Sequence, residues 1–216
     1  MVKGLSLHIG LNSVDPKHYG GWDGRLGGCE YDAHDMADIA KASGFKVTKL
    51  LTKDATVENI TKNLTSAAQN LKSGDYFLLS YSGHGGTLPD ENNDEDDFQD
   101  ETWCLYDRQF VDDELNICLR EFKEGVKIFT LSDSCHSGTV VKAAKLQRTL
   151  DIDAFNTNID IRGKQYRFTP DAVLGRTYNQ NRDMYDKILR DINKKEKDVN
   201  ASIILISGCE DDELSL

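Results

Sequence analysis

Five short apolar runs, LSLHIGL (5–11), FKVTKLL (45–51), DYFLLSYS (75–82), VKIFTLSD (126–133) and ASIILISG (201–208), are separated by stretches whose apolar residues recur at helical spacing. Runs of this length, rich in branched and aromatic side chains, read as strands, and the two that begin at 75 and 126 read as strands buried on both sides. Between them, 29–43 places Ala33, Met36, Ala37 and Ala40 on one helical face. The stretch 56–71 carries Val57, Ile60 and Leu64 at the same spacing, with Thr56 and Asn59 near its start. Further helices are expected at 112–123, 138–146 and 181–194. Strands separated by helices imply βαβ units joined by right-handed crossovers. The pattern therefore predicts an α/β fold, with a mainly parallel central sheet covered by helices on both faces. An acidic segment (90–101) and a mixed stretch (147–180) interrupt the alternation; without an internal repeat or a long linker, a single domain over 1–216 is expected.

That fold needs a large core, and 216 residues with 38% hydrophobic and 29% charged side chains supply one. No apolar run approaches the roughly 18 residues of a membrane span. The N-terminal MVKGLSLHIGLNSVD reads as a first strand and not a leader, so a cytoplasmic location without membrane contact is expected. Cys29, Cys104, Cys118, Cys135 and Cys209 are scattered and odd in number, which argues against a disulfide framework and a zinc ribbon. A formal charge of −11 lacks the basic footprint that nucleic acid requires, and suits basic partners or plain solubility.

In a parallel sheet, ligands sit beyond the carboxyl ends of the strands. Two such ends carry chemistry: SGHGG (82–86) and DSCHSG (133–138). A thiol of ordinary pKa needs a base or a positive field to become a nucleophile. His136 adjoins Cys135, but adjacent side chains on an extended segment point to opposite faces. His84, between Gly83 and Gly85, meets Cys135 at the same sheet edge if the two strands are neighbours. His8, His18 and His34 lack such a setting and read as packing or surface residues.

YSGHGG (81–86) together with LSDSCHSG (131–138) resembles the caspase and metacaspase family of cysteine peptidases. The resemblance extends to GGCEYDA (27–33), FQDETWCLYD (98–107), VDDEL (111–115) and ILISGCEDDELS (204–215), in family order along nearly the whole chain. The stretch PDAVLGRTYNQNRDMYDKI (170–188) is similar to bacterial stand-alone members. The resemblance implies a caspase-like three-layer sandwich and a cysteine endopeptidase that forms an acyl-enzyme. His84 would be the general base, Cys135 the nucleophile, and the amides of Gly85 and Cys135 the oxyanion hole. Asp32 and Asp133 match the acidic positions of the first specificity pocket, with Cys29 and Ser82 beside them. Two carboxylates in a cleft attract a guanidinium, so cleavage after Arg, then Lys, is expected, on protein or peptide substrates with basic residues. Against this, Asp32 could cap the helix it begins and Asp133 could hold a turn.

No cofactor is required by this chemistry, but the resemblance also implies a calcium site, with Asp100, Asp112 and Asp113 matching three of its carboxylates. Lys142 stands about where a fourth is expected, and an ammonium there opposes a cation. Within the acidic segment, Asp90, Asn92, Asp94 and Glu101 fall on positions 1, 3, 5 and 12 of an EF-hand loop, but Glu95 replaces its glycine and no helix precedes it. A solvated loop is the plain alternative. HYGGWDGRLGG (18–28) reads as a mobile loop beside the cleft, Trp22 and Trp103 as groove or packing residues, and Glu30, His34 and Asp38 as a polar helix face. Basic residues in KAAKLQR (142–148) and NKKEK (193–197) are candidate points of self-cleavage.

Family members continue past the fifth strand, so this chain reads as a truncation, a cleavage product or half of a split protein whose C-terminal fragment would be a partner. Ile203–Ile206 would then form an exposed sheet edge. A catalytically silent scaffold of the same fold and an acidic calcium-binding module are the competing readings.

Overall fold

The computed structural model describes residues 2–89, 99–134, 167–192 and 199–207. Five parallel strands form the central sheet: β1 (Gly4–Gly10), β2 (Lys46–Leu51), β3 (Tyr76–Ser82), β7 (Lys127–Asp133) and β8 (Ser202–Ser207), in the order β2-β1-β3-β7-β8. Each expected strand is present within a residue or two.

The helices follow from local chemistry. In α2 (Val57–Asn70) the Thr56 hydroxyl accepts from the Asn59 amide at 3.2 Å and closes the N-terminus. α1 (Cys29–Ala42) starts after Gly28 without a side-chain cap, and Gly44, at φ +83°, lets the chain turn away beyond its end. α3 (Asp112–Arg120) opens with Asp112, Asp113 and Glu114 against the positive end of its dipole. The Glu114 carboxylate also takes a bidentate ion pair from Arg108, at 2.6 and 2.8 Å.

Strand alternation divides the sheet into two unlike faces. Leu7, Ile9, Phe77, Leu79, Tyr81 and Ile128 turn to one side and form a core with Ile60, Leu64, Cys118, Leu119 and Phe122. On the other side α1 packs across β1, β2 and β3, and there the buried strand residues include Ser6, His8, Ser80 and Ser82. Small residues let α1 come close: a Cβ on Gly10 would sit 2.2 Å from the Cys29 carbonyl oxygen. This contact brings the start of α1 against the carboxyl end of β1.

Three expectations fail. A second, antiparallel sheet joins β4 (Gly85–Pro89), β5 (Gln99–Cys104) and β6 (Gln109–Val111), so part of the acidic segment is strand. The tail of the mixed stretch is helix: α4 (Asp171–Gln180) precedes α5 (Arg182–Ile192). Strand β7 is not buried on both sides, since Ile128, Thr130 and Ser132 are covered while Lys127 and Phe129 are exposed. The helix expected at 138–146 lies outside the described residues. α5 anchors through Tyr185, whose hydroxyl meets His18 Nε2 at 2.7 Å and accepts from the Gln109 amide at 3.1 Å. Among the described residues β8 is one edge of the sheet, with Ile204 and Leu205 exposed at 61% and 64%.

Candidate active site

Strands β3 and β7 end in register, with Ser82 opposite Asp133 and the Gly83 amide donating to the Asp133 carbonyl at 3.4 Å. Beyond Ser82 the chain turns at His84 into β4. The His84 carbonyl is clamped by the Cys104 amide at 2.9 Å and the Tyr81 hydroxyl at 2.8 Å. Gly83 belongs there sterically, because a Cβ would lie 2.6 Å from the Tyr81 hydroxyl.

The His84 ring is buried, 2% exposed, beside Trp22 at a centroid distance of 4.8 Å. Its Nε2 lies 2.9 Å from the Gly24 carbonyl oxygen. A carbonyl only accepts, so Nε2 carries the proton in the neutral ring and Nδ1 is the basic nitrogen. Burial lowers the imidazole to about 4, opposed in part by the backbone of Gly24, Arg167 and Phe168. At neutral pH the ring is thus uncharged and able to take a proton. Gly24 has φ +54°, and a Cβ there would stand 2.9 Å from the Trp22 ring and 3.2 Å from the His84 ring. Only glycine brings this carbonyl to the imidazole without strain. The Gly-rich loop therefore does lie beside the cleft, but buried Tyr19, Trp22 and Leu26 pin it, contrary to a mobile loop.

The four expected pocket residues come together. Ser82 Oγ donates to Asp32 Oδ2 at 2.7 Å, from the end of β3 to the first turn of α1. Cys29 is buried alongside; its thiol is pushed up by burial, with Ser82, Arg167, Asp32 and Asp133 all near enough to act on it. Asp32 lies in the first turn of α1, and no side-chain capping bond closes the start of that helix. Between the two carboxylates lies Arg167. Its Nη2 donates to Asp32 Oδ2 at 2.9 Å, and its Nη1 donates to Ser82 Oγ at 2.8 Å and to the Asp133 carboxylate. The Arg167 side chain is 10% exposed, against 41% for Asp32 and 32% for Asp133.

The Arg167 backbone is held as well. The Gly85 amide donates to the Arg167 carbonyl at 3.0 Å, and the Thr169 amide donates to the Gly85 carbonyl at 3.0 Å. Phe168 is thereby bridged to Gly85 in parallel register. Gly85 was expected to supply an oxyanion-hole amide, and in the structure that amide points to a peptide carbonyl.

Cys135 lies outside the described residues, two positions beyond Asp133, as does Lys142. Trp103 is a packing residue: it stacks on Tyr81 at 4.4 Å and donates to Ser132 Oγ at 3.1 Å. His8 and His18 are packing residues and His34 is exposed, as expected. Asp100 is buried on β5, Asp112 is exposed and Asp113 is half-buried on α3. Among the described residues no group of three or more His, Cys, Asp or Glu side chains converges as metal ligands do. The EF-hand positions 90–98 lie outside the described residues. No described helix is long and apolar enough to cross a membrane.

Sequence reasoning missed three contributors: Gly24, Tyr81 and Arg167. Gly24 was legible only as part of a Gly-rich run. Tyr81 looked like an ordinary strand residue, and nothing in the sequence marked Arg167.

A parallel sheet with an imidazole and an acidic pocket at the carboxyl ends of its inner strands defines a caspase-like fold. The family model described as "Metacaspase, peptidase C14 domain" matches residues 6–144, and the chain belongs to the metacaspase family. It is 29% identical to Metacaspase-1 of Meyerozyma guilliermondii over 97% of this chain and 56% of that protein. To Metacaspase-7 of Arabidopsis thaliana it is 35% identical, over 66% of this chain and 36% of that protein. The chain thus spans about half the length, or less, of these curated relatives. A crystal structure of the protein GSU0716 from Geobacter sulfurreducens superposes with a TM-score of 0.84 at 50% identity, covering 98% of this chain and 75% of that one.

Proposed function

We propose that this chain is the catalytic part of a cysteine endopeptidase that cleaves peptide bonds after Arg, and less readily after Lys. The observation that carries this reading is the pocket, where two carboxylates and a hydroxyl hold a guanidinium while the Gly85 amide receives the carbonyl of the same residue. Side-chain recognition and carbonyl polarisation then act on one residue, the one preceding the scissile bond.

In the proposed reaction Nδ1 of His84 takes the proton of the Cys135 thiol, and the sulfur attacks the carbonyl carbon. The developing oxyanion is stabilised by the Gly85 amide and the amide of Cys135. Collapse expels the amine, which receives the proton from His84. Water, deprotonated by the same ring, then hydrolyses the thioester. Gly24 keeps the imidazole in the tautomer this needs. Thiol, imidazole and amides suffice, so no cofactor is required. A lysine ammonium is a point charge and cannot fork between both carboxylates, which explains the order Arg before Lys.

The test is hydrolysis of short peptides with Arg, Lys or Asp before the reporter group, by wild type, Cys135→Ala and Asp133→Asn. Expected are turnover in the order Arg, Lys, with Asp inert, and complete dependence on Cys135. Asp133→Asn should lower kcat/KM on Arg peptides roughly 100-fold, as removal of one partner of a hydrogen-bonded, largely desolvated charge pair does. Cleavage after Asp, or turnover that survives Cys135→Ala, would overturn the reading.

A further inference from the structure

We propose that Trp103 is a positioning residue for the reaction described above. Through its backbone it holds the strand of Gly85, and through its indole it fixes the strand end that delivers the nucleophile. The inference rests on that reaction and adds to it a residue that touches neither substrate nor reacting atoms.

Trp103 is the strand partner of Gly85, pairing β5 with β4 at the residue whose amide donates to the Arg167 carbonyl. Its ring, buried at 6% exposure, lies flat on Tyr81, with centroids 4.4 Å apart and planes at 4°. The same ring donates its N–H to Ser132 Oγ on β7, at 3.1 Å. Ser132 stands opposite Tyr81 in the parallel register, so stack and hydrogen bond meet at one level of the sheet. The Ser132 hydroxyl lies 3.2 Å from that of Ser134, the residue directly before Cys135. One side chain thereby links the segment of Gly85 to the segment of Cys135, whose amides stabilise the oxyanion in that reaction.

The composition of β7 favours aiming over packing as the reason for this link. At successive levels the core side of the sheet carries Phe77, Leu79 and Tyr81 on β3, but Ile128, Thr130 and Ser132 on β7. Ser134 is buried beyond them. A buried hydroxyl contributes little apolar area and costs stability unless it finds a partner. Apolar contact is non-directional, whereas a hydrogen bond sets both a distance and an angle. A strand end that must present one amide and one thiol in a fixed orientation gains from the second kind of contact.

The experiment compares wild type with Trp103→Phe, Ser132→Ala and the double variant on a fluorogenic Arg peptide, with kcat scaled to the folded fraction. Phenylalanine keeps a ring against Tyr81 and loses the N–H; Ser132→Ala removes only the hydroxyl, so the link remains testable if the first variant fails to fold. Each single variant should lower kcat about 10- to 100-fold, the scale of a misplaced reacting group, while KM stays within about threefold because Asp32, Asp133 and Ser82 are untouched. The double variant should be no slower than the worse single one, since both break the same link. A purely structural role would lower the folded fraction and leave kcat per folded molecule in place. Folded single variants with kcat within about threefold of wild type, or losses that multiply in the double variant, overturn this inference and leave the proposed function standing. A wild type that cleaves no Arg peptide overturns the reaction on which it rests.

Discussion

The two faces of the central sheet are packed by opposite chemistry. Toward α2 and α3 the strands present Leu7, Ile9, Phe77, Leu79 and Ile128, an apolar surface that meets other apolar side chains. Toward α1 they present Ser6, His8, Ser80 and Ser82 against a helix whose buried residues are Cys29 and three alanines. The first face buries large side chains and stabilises the fold at roughly 25 cal/mol for each Å² removed from water. The second buries more polar atoms; among the described residues Ser6 Oγ and His8 Nε2 find no hydrogen bond there, as Thr130 Oγ1 does not on the first, at a typical cost of about 1–3 kcal/mol each. What the second face gains is closeness. Small residues bring α1 down onto the strand ends, where Cys29 and Asp32 meet Ser82. One face holds the sheet, and the other aims it.

That contrast can be broken most sharply at the imidazole. His84→Ala should reduce turnover of Arg peptides about 10⁴-fold, as loss of a catalytic base does, while the unfolding midpoint falls far less than a core truncation would lower it. Activity retained within tenfold would remove His84 from the chemistry. Leu79→Ala, one residue from Ser80 but on the other face, should do the reverse. Filling its space with nothing should cost 2–5 kcal/mol in denaturant unfolding, typical for a buried leucine, with turnover per folded molecule preserved. If instead turnover falls and stability does not, the two faces are not separable.

The polar face should also make stability depend on acid. Burial lowers His8 to about 4, aided by the nearby charge of Lys49, and His84 stands equally low. Both rings bind a proton less well in the folded chain than in the unfolded one. Between pH 6.5 and about 4 the unfolded chain therefore holds more protons, and stability is lost as pH falls through that window. His8→Asn should flatten the loss by up to about 3 kcal/mol, measured as unfolding free energy at pH 7 and pH 4.5. An unchanged pH dependence would show that His8 titrates normally. The smallest effect is expected at Tyr81, whose hydroxyl supports the His84 carbonyl. Tyr81→Phe should cost about 1 kcal/mol, since the Cys104 amide continues to hold that carbonyl, and a loss of turnover beyond tenfold would mean the clamp positions His84 more tightly than this.

The strands of the central sheet were legible because each is a short apolar run bounded by helical periodicity, a pattern that needs no distant partner to be recognised. The small antiparallel sheet was not, because GGTLP and QDETWC carry glycine, proline or acids, QFV has only three residues, and none shows sustained alternation. Helix α4 hid for a related reason: DAVLGRTYNQ has a glycine at its centre and follows Pro170, which reads as a breaker. At the site, His84 and the acidic pair were readable from strand ends and from resemblance. Gly24 was not, since its role is a carbonyl at φ +54° and any loop glycine looks alike in sequence.

What the sequence determined by itself was the candidate reactive groups and the strand ends that carry them, because hydrophobic period and motif are properties of neighbouring residues. What the tertiary structure decided was who meets whom at those ends. Arg167 reaches Asp32 across 135 positions of chain, and His84 takes its tautomer from a carbonyl 60 positions away. Such pairings are set by the register of parallel strands and the closeness of α1 to the sheet. Neither leaves a local trace, because a charge or a carbonyl acts through distance in space and not through distance along the chain.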